Sequence, residues 1–144
     1  MDYTIRPLKI SEYDDLMDLW RRAELPHRPQ GRDSYSAISR ELKRKESCYW
    51  GMYNGEKLIG SVVVSSDGRR GWINRLAVEP DYRGRALAGR LIKEGEDYLH
   101  QLGIKVIAAL IENENRSSIA AFKKAGYIAH PNILYFSKRS SPED

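Results

Sequence analysis

Within residues 72–103 the spacing of apolar side chains switches from that of a strand to that of a helix, and this switch constrains the fold more than any other feature of the sequence. Residues 72–78 are a short β-branched and apolar run with successive side chains on opposite faces, which predicts a strand. Pro80 ends that strand. In residues 87–102 the apolar side chains recur three, four or seven positions apart, as on one face of a helix. The stretch therefore predicts a strand, a tight turn and a helix.

A helix that starts after a tight turn presents unpaired backbone N–H groups at the positive end of its dipole, where anions bind. Small residues lie where a ligand would approach this backbone, and arginines flank them: Gly84, Ala86 and Ala88, with Arg83, Arg85 and Arg90. A phosphate group is the ligand that this pattern favours. The alternatives are an ordinary turn without a ligand and arginines that are only solvated surface charge.

Two common phosphate-binding motifs do not fit the turn. Gly84 and Gly89 have the spacing of a Walker A loop, but Arg90 and Leu91 occupy the positions that need Lys and Ser or Thr. The dinucleotide pattern G-x-G-x-x-G also fails, because the second glycine is missing. Nucleoside triphosphatases and dinucleotide-binding enzymes are both disfavoured.

Residues 83–88, Arg-Gly-Arg-Ala-Leu-Ala, follow Leu-Ala-Val and Glu-Pro-Asp-Tyr and resemble motif A of the GNAT superfamily, the acetyl-CoA-dependent N-acyltransferases. That motif reads Arg/Gln-x-x-Gly-x-Gly/Ala after a strand, and Ala86 departs from its usual glycine. Residues 115–127, NRSSIAAFKKAGY, resemble motif B, N-x-x-A-I-x-L-Y-E-K-x-G-F. Two motifs in the family's order are more specific than either alone.

The rest of the chain predicts elements in the same order as that family. A strand closed by Pro7 and two helices around the polar loop 24–33 come first, followed by a hairpin at Asn54-Gly55. Residues 104–111 predict a buried strand parallel to the one ending at Val78. Residues 127–129 and 133–137 predict a last strand pair. The expected fold is α/β (α+β), a single-domain GNAT-like fold with a mixed, mostly antiparallel sheet and a central parallel strand pair flanked by helices.

Composition limits the size, compartment and partners of the protein. The 144 residues suffice for one domain, residues 1–137, with a polar C-terminal tail at 138–144. The sequence has no apolar run long enough for a bilayer and no signal-peptide core, and Cys48 is its only cysteine, which together predict a cytoplasmic protein without a membrane partner. The basic residues that give the net charge of +4 are dispersed among acidic ones, a pattern that does not favour nucleic-acid binding.

The resemblance implies acetyl-CoA as a co-substrate and no metal. The pyrophosphate would rest on the amides of the turn, and the end of the preceding strand would hydrogen-bond the pantetheine. Asn115 matches a family residue near the reactive end of the cofactor, although it also suits a plain helix cap. The implied cofactor-binding residues are Leu76, Ala77, Val78, Arg83, Gly84, Arg85, Ala86, Leu87, Ala88, Asn115 and Phe122.

The resemblance leaves the catalytic residues open. Phe122 stands where the family often has a Tyr that protonates the thiolate, so Tyr127 or a water would have to substitute. Asn74 occupies a strand position where some relatives carry a base, and Glu79 could take a proton through a water or merely cap the Pro80 turn. The catalytic assignments are therefore Asn74, Glu79 and Tyr127. His27 and His130 belong to a residue type that often acts as a base, but each also suits a simple loop position.

Two functions follow from these residues. The first is an N-acetyltransferase that transfers the acetyl group of acetyl-CoA to a primary amine of a small molecule or to an exposed protein or peptide amine, by direct attack in a ternary complex. The second is a catalytically weak CoA-binding sensor or interaction domain, which the phenylalanine at position 122 keeps open. By resemblance, residues 25–33 and 129–134 would wall the acceptor side. Exposed sheet edges make a homodimer possible.

Overall fold

Five strands build the sheet, and they follow one another across it in chain order, β1-β2-β3-β4-β5. The computed structural model describes residues 2–142 and 144, so Glu143 of the predicted tail lies outside the described part. The strands are β1 (Thr4–Pro7), β2 (Ser47–Asn54), β3 (Lys57–Ser66), β4 (Arg70–Val78) and β5 (Val106–Ala108). The helices of the described residues are α1 (Tyr13–Arg22), α2 (Tyr35–Glu41), α3 (Leu87–Gln101) and α4 (Arg116–Lys124), with 3₁₀ turns at Ile10–Glu12 and Pro80–Tyr82.

The sheet is mixed. Strands β1 to β4 are antiparallel neighbours, and the predicted hairpin forms at Gly55, whose φ is +62°. Strand β5 runs parallel to β4, with Arg70 opposite Val106 and Trp72 opposite Ala108. The predicted mixed, mostly antiparallel sheet with a parallel pair is confirmed. That pair lies at one edge of the sheet, however, because β5 has no further neighbour in the described part of the chain.

Helices cover both faces of the sheet. Strands β2 to β4 alternate their apolar side chains between the faces, so each face buries its own cluster. One cluster joins the sheet to α3 and α4: Tyr3, Met52, Ile59, Val62, Val64, Ile73, Leu76, Val78, Leu87, Leu91, Ile92, Leu99, Ile104 and Phe122. The other joins it to α1 and α2: Leu8, Leu16, Leu19, Trp20, Ile38, Tyr49, Tyr53, Leu58, Val63 and Ala77. The result is a three-layer arrangement of helices, sheet and helices.

Glycines let α3 lie close to the sheet. A Cβ at Gly95 would come within 2.9 Å of a methyl carbon of Val64, and one at Gly71 within 2.5 Å of Leu99. Both distances are shorter than a normal carbon contact. The position of α3, and therefore of the turn that precedes it, depends on these two residues.

Two predictions for the C-terminal third were wrong, one in the length of a strand and the other in the existence of a strand pair. The strand expected over 104–111 is shortened to Val106–Ala108 and is only partly buried, since it lies at the edge. The strand pair expected at 127–129 and 133–137 does not form, and those residues have neither helical nor strand hydrogen bonding. A turn does form there, with the amide of Ile133 donating to the carbonyl of His130 at 3.3 Å. The segment has an apolar pattern, but it does not pair with the five-stranded sheet of its own chain.

Candidate functional site

A gap separates the C-terminal half of β4 from β5. The two strands pair only at the start of β4, from Arg70 to Trp72, so residues 74–78 have no strand neighbour on that side among the described elements. Their backbone N–H and C=O groups on this edge have no strand partner there, and such an edge offers a row of donors and acceptors to which an extended ligand can bind. The gap is the first feature of the candidate site.

A β-bulge in β4 lies at the entrance of this gap. The register with β3 shifts between Ser61, opposite Ala77, and Val63, opposite Asn74, and Arg75 within the bulge has a left-handed φ of +53°. The Ser61 hydroxyl donates to the carbonyl oxygen of Arg75 at 2.9 Å, and Nε1 of Trp20 donates to the same hydroxyl at 2.9 Å. These buried hydrogen bonds hold a backbone conformation that is costly for a residue with a Cβ.

The turn before α3 forms the second wall. Gly84 has φ of +79° and Ala86, the N-cap of α3, has φ of +60°, so left-handed residues alternate in the turn. Such a turn gathers successive amides into a concave anion-binding nest, and no side chain caps the helix. A Cβ at Gly84 would meet nothing within 4 Å. The space on the Cβ side of Gly84 is therefore open.

A cavity of about 220 Å³ lies between the gap and the turn. All of the predicted cofactor residues line it except Arg85 and Phe122. Four further residues complete the lining and were not expected from the sequence: Ala23, Leu25, Ser117 and Ser118. The two serines lie two and three positions after the motif B asparagine, a proximity that could have suggested them. Ala23 and Leu25, at the end of α1, carry no comparable signal.

The arginines of the turn have different surroundings. The Nε of Arg83 donates to the carbonyl of Val78 at 3.3 Å, which keeps this side chain at the cavity. Arg85 instead donates to the Tyr3 hydroxyl at 2.8 Å, and Arg90 donates to the Tyr3 carbonyl at 3.2 Å. Arg83 is thus the turn arginine that lines the cavity, while Arg85 and Arg90 contact the start of the chain.

Helix α4 brings a second helix N-terminus to the cavity. The side chain of Asn115 accepts a hydrogen bond from the amide of Ser118 at 3.2 Å and is therefore the N-cap. Asn115 also lines the cavity, so the cap and the site location coincide. Phe122 lies deeper in α4, is only 4% exposed and packs edge-on against Tyr127 with ring centroids 5.0 Å apart. Its position is that of a core residue.

Glu79 is buried and ion-paired. It is 6% exposed, and both of its carboxylate oxygens accept from Nε of Arg22, at 2.8 and 2.9 Å. Hydrogen bonding to this carboxylate also raises the pKa of Arg22. The pair joins the end of α1 to the end of β4. Glu79 follows Val78 directly in the chain but does not line the cavity.

The other two catalytic candidates also lie outside the cavity lining. The hydroxyl of Tyr127 donates to Glu96 on α3 at 2.7 Å, and burial together with this carboxylate raises the pKa of the phenol well above its usual range. Asn74 is half-buried at the bulge. The structure therefore does not bring Asn74, Glu79 and Tyr127 together at one point.

An ion pair fastens the loop between α1 and α2 to the bulge. Nη2 of Arg75 donates to Oδ2 of Asp33 at 2.7 Å, Nη1 donates to the carbonyl of Pro26 at 2.7 Å, and Asp33 is only 4% exposed. The amide of Arg28 donates to the same carboxylate oxygen of Asp33 at 2.7 Å. Because Leu25 of this loop lines the cavity, Arg75 sets the position of one cavity wall.

The described residues contain neither a cluster of metal ligands nor a helix that could span a membrane. No group of three or more His, Cys, Asp or Glu side chains there is arranged to hold a metal ion. No helix in the same part of the chain is both long and apolar enough to cross a membrane.

The sequence of this chain matches one family model and is similar to a known acetyltransferase. A family model described as the acetyltransferase (GNAT) family matches residues 13–127, which is most of the chain. An acetyltransferase of Sodalis glossinidius (strain morsitans) is 30% identical over 135 residues, covering 94% of this chain and 94% of that protein. The matched region contains both motifs and every residue of the cavity lining.

Solved structures with the same fold are more distant in sequence. The PaiA N-acetyltransferase of Thermoplasma acidophilum, solved in complex with coenzyme A, has a TM-score of 0.76 at 18% identity and covers 86% of this chain and 88% of its own. An aminoglycoside 6'-N-acetyltransferase of Acinetobacter baumannii has a TM-score of 0.78 at 17% identity and covers 97% of this chain and 100% of its own. At these identities the likeness concerns the fold.

Proposed function

This chain belongs to the GNAT acetyltransferase family, and we propose that it transfers the acetyl group of acetyl-CoA to a primary amine by direct attack within a ternary complex. The observation that carries the proposal is the cavity between the free edge of β4 and the amide nest of the 83–88 turn. One wall of this cavity offers an unpaired strand edge and the other offers anion-binding amides, which match the amide-containing arm and the pyrophosphate of CoA.

Backbone groups would make most of the cofactor contacts. Leu76 and Val78 would hydrogen-bond the pantetheine arm as an added strand, and the turn amides would hold the pyrophosphate beside Arg83. The coenzyme A complex of the Thermoplasma acidophilum protein supports this reading by likeness of fold. Asn115, Ser117 and Ser118 would then lie on the opposite side of the cofactor. The Ser117 hydroxyl donates to Oδ1 of Asn115 at 3.3 Å, so the hydroxyl of Ser118 is the candidate hydrogen-bond donor to the departing thiolate.

The cavity offers no evident catalytic base for removing a proton from the acceptor amine. No side chain that lines the cavity is an acid or a histidine, and both oxygens of Glu79 are engaged by Arg22. We therefore propose that the ammonium group of the acceptor loses its proton to water, and that positioning and thiolate stabilisation supply the catalysis. The pH dependence of kcat/KM should then follow the pKa of the acceptor amine and shift when that amine is changed.

The acceptor is proposed only as a class, a small-molecule or peptide amine. The loop 24–33, held by Arg75, and the C-terminal residues after α4 are the parts that would contact it. The aminoglycoside 6'-N-acetyltransferase named above acts on a small amine, which supports beginning with that class of compound. Release of free thiol from acetyl-CoA against a panel of small amines and peptides measures turnover and separates an enzyme from a module that only binds CoA.

Binding to the turn is tested with two glycines that share the same backbone constraint. Gly84 and Gly55 both have positive φ, +79° and +62°, and a Cβ at either would meet nothing within 4 Å. Gly84→Ala and Gly55→Ala should therefore lower the free energy of unfolding by similar amounts, about 1–2 kcal/mol. Only Gly84→Ala should weaken CoA binding, because only Gly84 lines the cavity of the proposed phosphate site.

The readout is the rise in Tm with CoA, which reaches several degrees for a domain of this size at about a hundredfold excess over Kd. If CoA raised the Tm of the two variants equally, the 83–88 turn would not be part of the binding site. No rise in the wild type at millimolar CoA would overturn the proposed cofactor.

A further inference from the structure

The residue before β1 is hydrogen-bonded to the 83–88 turn and to α3. Tyr3 is only 8% exposed and packs in the apolar cluster that joins the sheet to α3. Its hydroxyl accepts a hydrogen bond from Nη1 of Arg85 at 2.8 Å, and its backbone carbonyl accepts one from Nη2 of Arg90 at 3.2 Å. One residue at the edge of the sheet therefore contacts the chain on both sides of Ala86, the N-cap of α3.

Tyr82, in the 3₁₀ turn that precedes the nest, completes these contacts. Its ring lies edge-on to the ring of Tyr3, with centroids 5.8 Å apart and planes at 77°. The guanidinium carbon of Arg85 lies 5.1 Å from the centroid of the Tyr82 ring, within the range of a cation–π contact. The Tyr82 hydroxyl accepts from Nδ2 of Asn54, the last residue of β2, at 2.9 Å. The turn is thus tied to β2 and to the residue that begins β1.

The turn needs support from outside because its backbone is strained. Gly84 and Ala86 both have positive φ, and Arg85 lies between them. A left-handed residue with a Cβ is costly, and a costly conformation persists only where surrounding contacts hold it. Neither Gly84 nor Ala86 has a side chain that can hydrogen-bond, and no side chain caps α3. The side chain of Arg85, bound to Tyr3, is the connection available for holding this backbone.

We propose that Tyr3 is a positioning residue for the pyrophosphate site, which holds the 83–88 turn in the conformation that gathers its amides. The inference rests on the proposed function for the identity of the ligand, CoA. Tyr3 does not line the cavity, so it acts through Arg85 and Arg90 and does not touch the cofactor. The hydroxyl contact to Arg85 is the one that a substitution can remove without changing the backbone.

The expected effect is on affinity more than on global stability. A turn that is no longer held spends part of its time with its amides apart, and the apparent Kd rises by the inverse of the competent fraction. Loss of one ordinary hydrogen bond shifts such an equilibrium by about three- to tenfold. Arg85 is exposed, so water replaces the Tyr3 hydroxyl as its partner and the fold as a whole loses little.

Tyr3→Phe is the first test, because it keeps the ring and its contact with Tyr82. The Kd for CoA, and the KM for acetyl-CoA, should rise by about three- to tenfold. The kcat and the KM for the amine should stay within about twofold of the wild-type values. Tyr98→Phe is the matched control, since the Tyr98 hydroxyl donates to the carbonyl of Lys45 at 2.8 Å near the other end of α3. It should leave the Kd for CoA unchanged.

A truncated acyl donor separates positioning of the turn from a general loss of structure. S-Acetylpantetheine has the thioester and the amide-containing arm of acetyl-CoA but lacks the pyrophosphate. Tyr3→Phe should lower kcat/KM for acetyl-CoA and leave kcat/KM for S-acetylpantetheine at the wild-type value. An equal loss with both donors would overturn the proposal, because Tyr3 would then support the whole cavity and not the turn.

A double-mutant cycle tests the route through Arg85. If the Tyr3 hydroxyl acts by holding Arg85, Tyr3→Phe should have no further effect on the Kd for CoA in a chain that already carries Arg85→Met. Additive effects of the two substitutions would show that Tyr3 does not act through Arg85. A strong effect of Arg85→Met with none of Tyr3→Phe would make Arg85 a direct phosphate ligand and would also overturn the proposal.

Backbone ¹⁵N relaxation of the ligand-free protein tests the same role without any cofactor. The order parameters of residues 84–86 should be those of a rigid backbone, about 0.85, in the wild type and in Tyr98→Phe, and lower in Tyr3→Phe. Unchanged relaxation in Tyr3→Phe would show that Tyr3 does not hold the turn, even if the wild type binds CoA. A wild type that fails to bind CoA, with a turn that loosens in Tyr3→Phe, would overturn the proposed cofactor instead.

Discussion

Ala86 holds a left-handed conformation, with φ of +60° and ψ of +24°, at the N-cap of α3. This conformation costs an L-residue about 1–2 kcal/mol relative to a helical one, and glycine avoids that cost. The family resemblance expects glycine at this position, so the chain tolerates strain where the cofactor amides are proposed to lie. The strain is local and can be measured.

Ala86→Gly should raise the free energy of unfolding by about 0.5–1 kcal/mol, after allowance for the greater freedom of glycine in the unfolded state. Ala88→Gly, two residues later inside α3, is the control and should lower it by about 0.5–1 kcal/mol. Urea denaturation of the ligand-free protein gives both values. If both variants destabilise the protein equally, the left-handed backbone at Ala86 carries no strain.

Glu79, a catalytic candidate from the sequence, forms an ion pair with Arg22 that gives it a structural role. Both of its oxygens are bound by Arg22, and the side chain is almost wholly buried, whereas Arg22 is 42% exposed. A structural tie between α1 and β4 explains these contacts without any role in proton transfer.

Glu79→Gln should therefore lower the free energy of unfolding by about 1–3 kcal/mol, a value reduced from that of a fully buried pair because Arg22 faces water. Turnover should fall by less than about tenfold, and the pH profile of kcat/KM should keep its shape. A loss of about a hundredfold or more in kcat with an unchanged Tm, together with loss of the acidic limb, would instead make Glu79 the base.

At the scale of elements, one bulge connects the cofactor strand to the acceptor-side loop. The backbone of Arg75 is held by Ser61, and its side chain holds Pro26 and Asp33 of the loop between α1 and α2. The bulge turns β4 away from its regular register, and the same residue fixes a loop that contributes Leu25 to the cavity. The strand and the loop should therefore respond together to a change at Arg75.

Arg75→Met keeps the length of the side chain but leaves the buried carboxylate of Asp33 without its partner, which should cost about 3 kcal/mol of unfolding free energy. The KM for the amine should rise at least several-fold more than the KM for acetyl-CoA, because the loop moves and the 83–88 turn does not. Arg21→Met, which breaks an exposed pair with Asp18, should change stability by less than about 0.5 kcal/mol.

A double-mutant cycle with Asp33→Asn measures the coupling of the pair. An additive result, with both KM values unchanged, would show that the loop is held by other contacts. A coupling energy above about 1 kcal/mol, together with the split in KM, would support the role of Arg75 in positioning the loop.

For the whole molecule, acid stability depends on carboxylates that are ionised in the fold. Partial burial alone would raise the pKa of Glu12, but hydrogen bonds from Arg6 and from the amide of Lys9 outweigh it and lower the pKa below 4.5. The folded state thus binds the proton more weakly than the unfolded chain does. The stability that Glu12 contributes is complete above the unfolded value and is lost as the pH falls through the lower, folded value.

Glu12→Gln should make the urea midpoint less dependent on pH below about 5, while lowering it modestly at neutral pH. The midpoint is measured from neutral pH down to the acid transition in wild type and variant. Asp18→Asn, at an exposed carboxylate on α1, serves as the control with an unchanged slope. If the urea midpoints of Glu12→Gln and wild type changed with pH in parallel, Glu12 would not contribute to the pH dependence of stability.

Local patterns predicted most of the elements before β5, and the two family motifs pointed to much of the cavity lining. The change of period around the 83–88 turn, the Asn54-Gly55 hairpin and the cap at Asn115 each depend on a few neighbouring residues, and each is confirmed as a structural element. Most of the residues that the resemblance implies for the cofactor lie near that turn, and all of them except Arg85 and Phe122 line the cavity. The missed lining residues Ala23 and Leu25 come from a different element, which no local pattern connects to the turn.

Partners across the fold were decided by tertiary structure. Glu79 and Arg22 are 57 residues apart, and Arg75 and Asp33 are 42 apart, so no periodicity could have paired them. Hydrophobic period shows which face of an element is buried, but not which charged group the sheet brings beside it. The same limit applies to residues 133–137, whose apolar pattern predicted a strand that does not form. Whether such a segment pairs depends on which sheet edge lies within reach, and that is a property of the folded molecule.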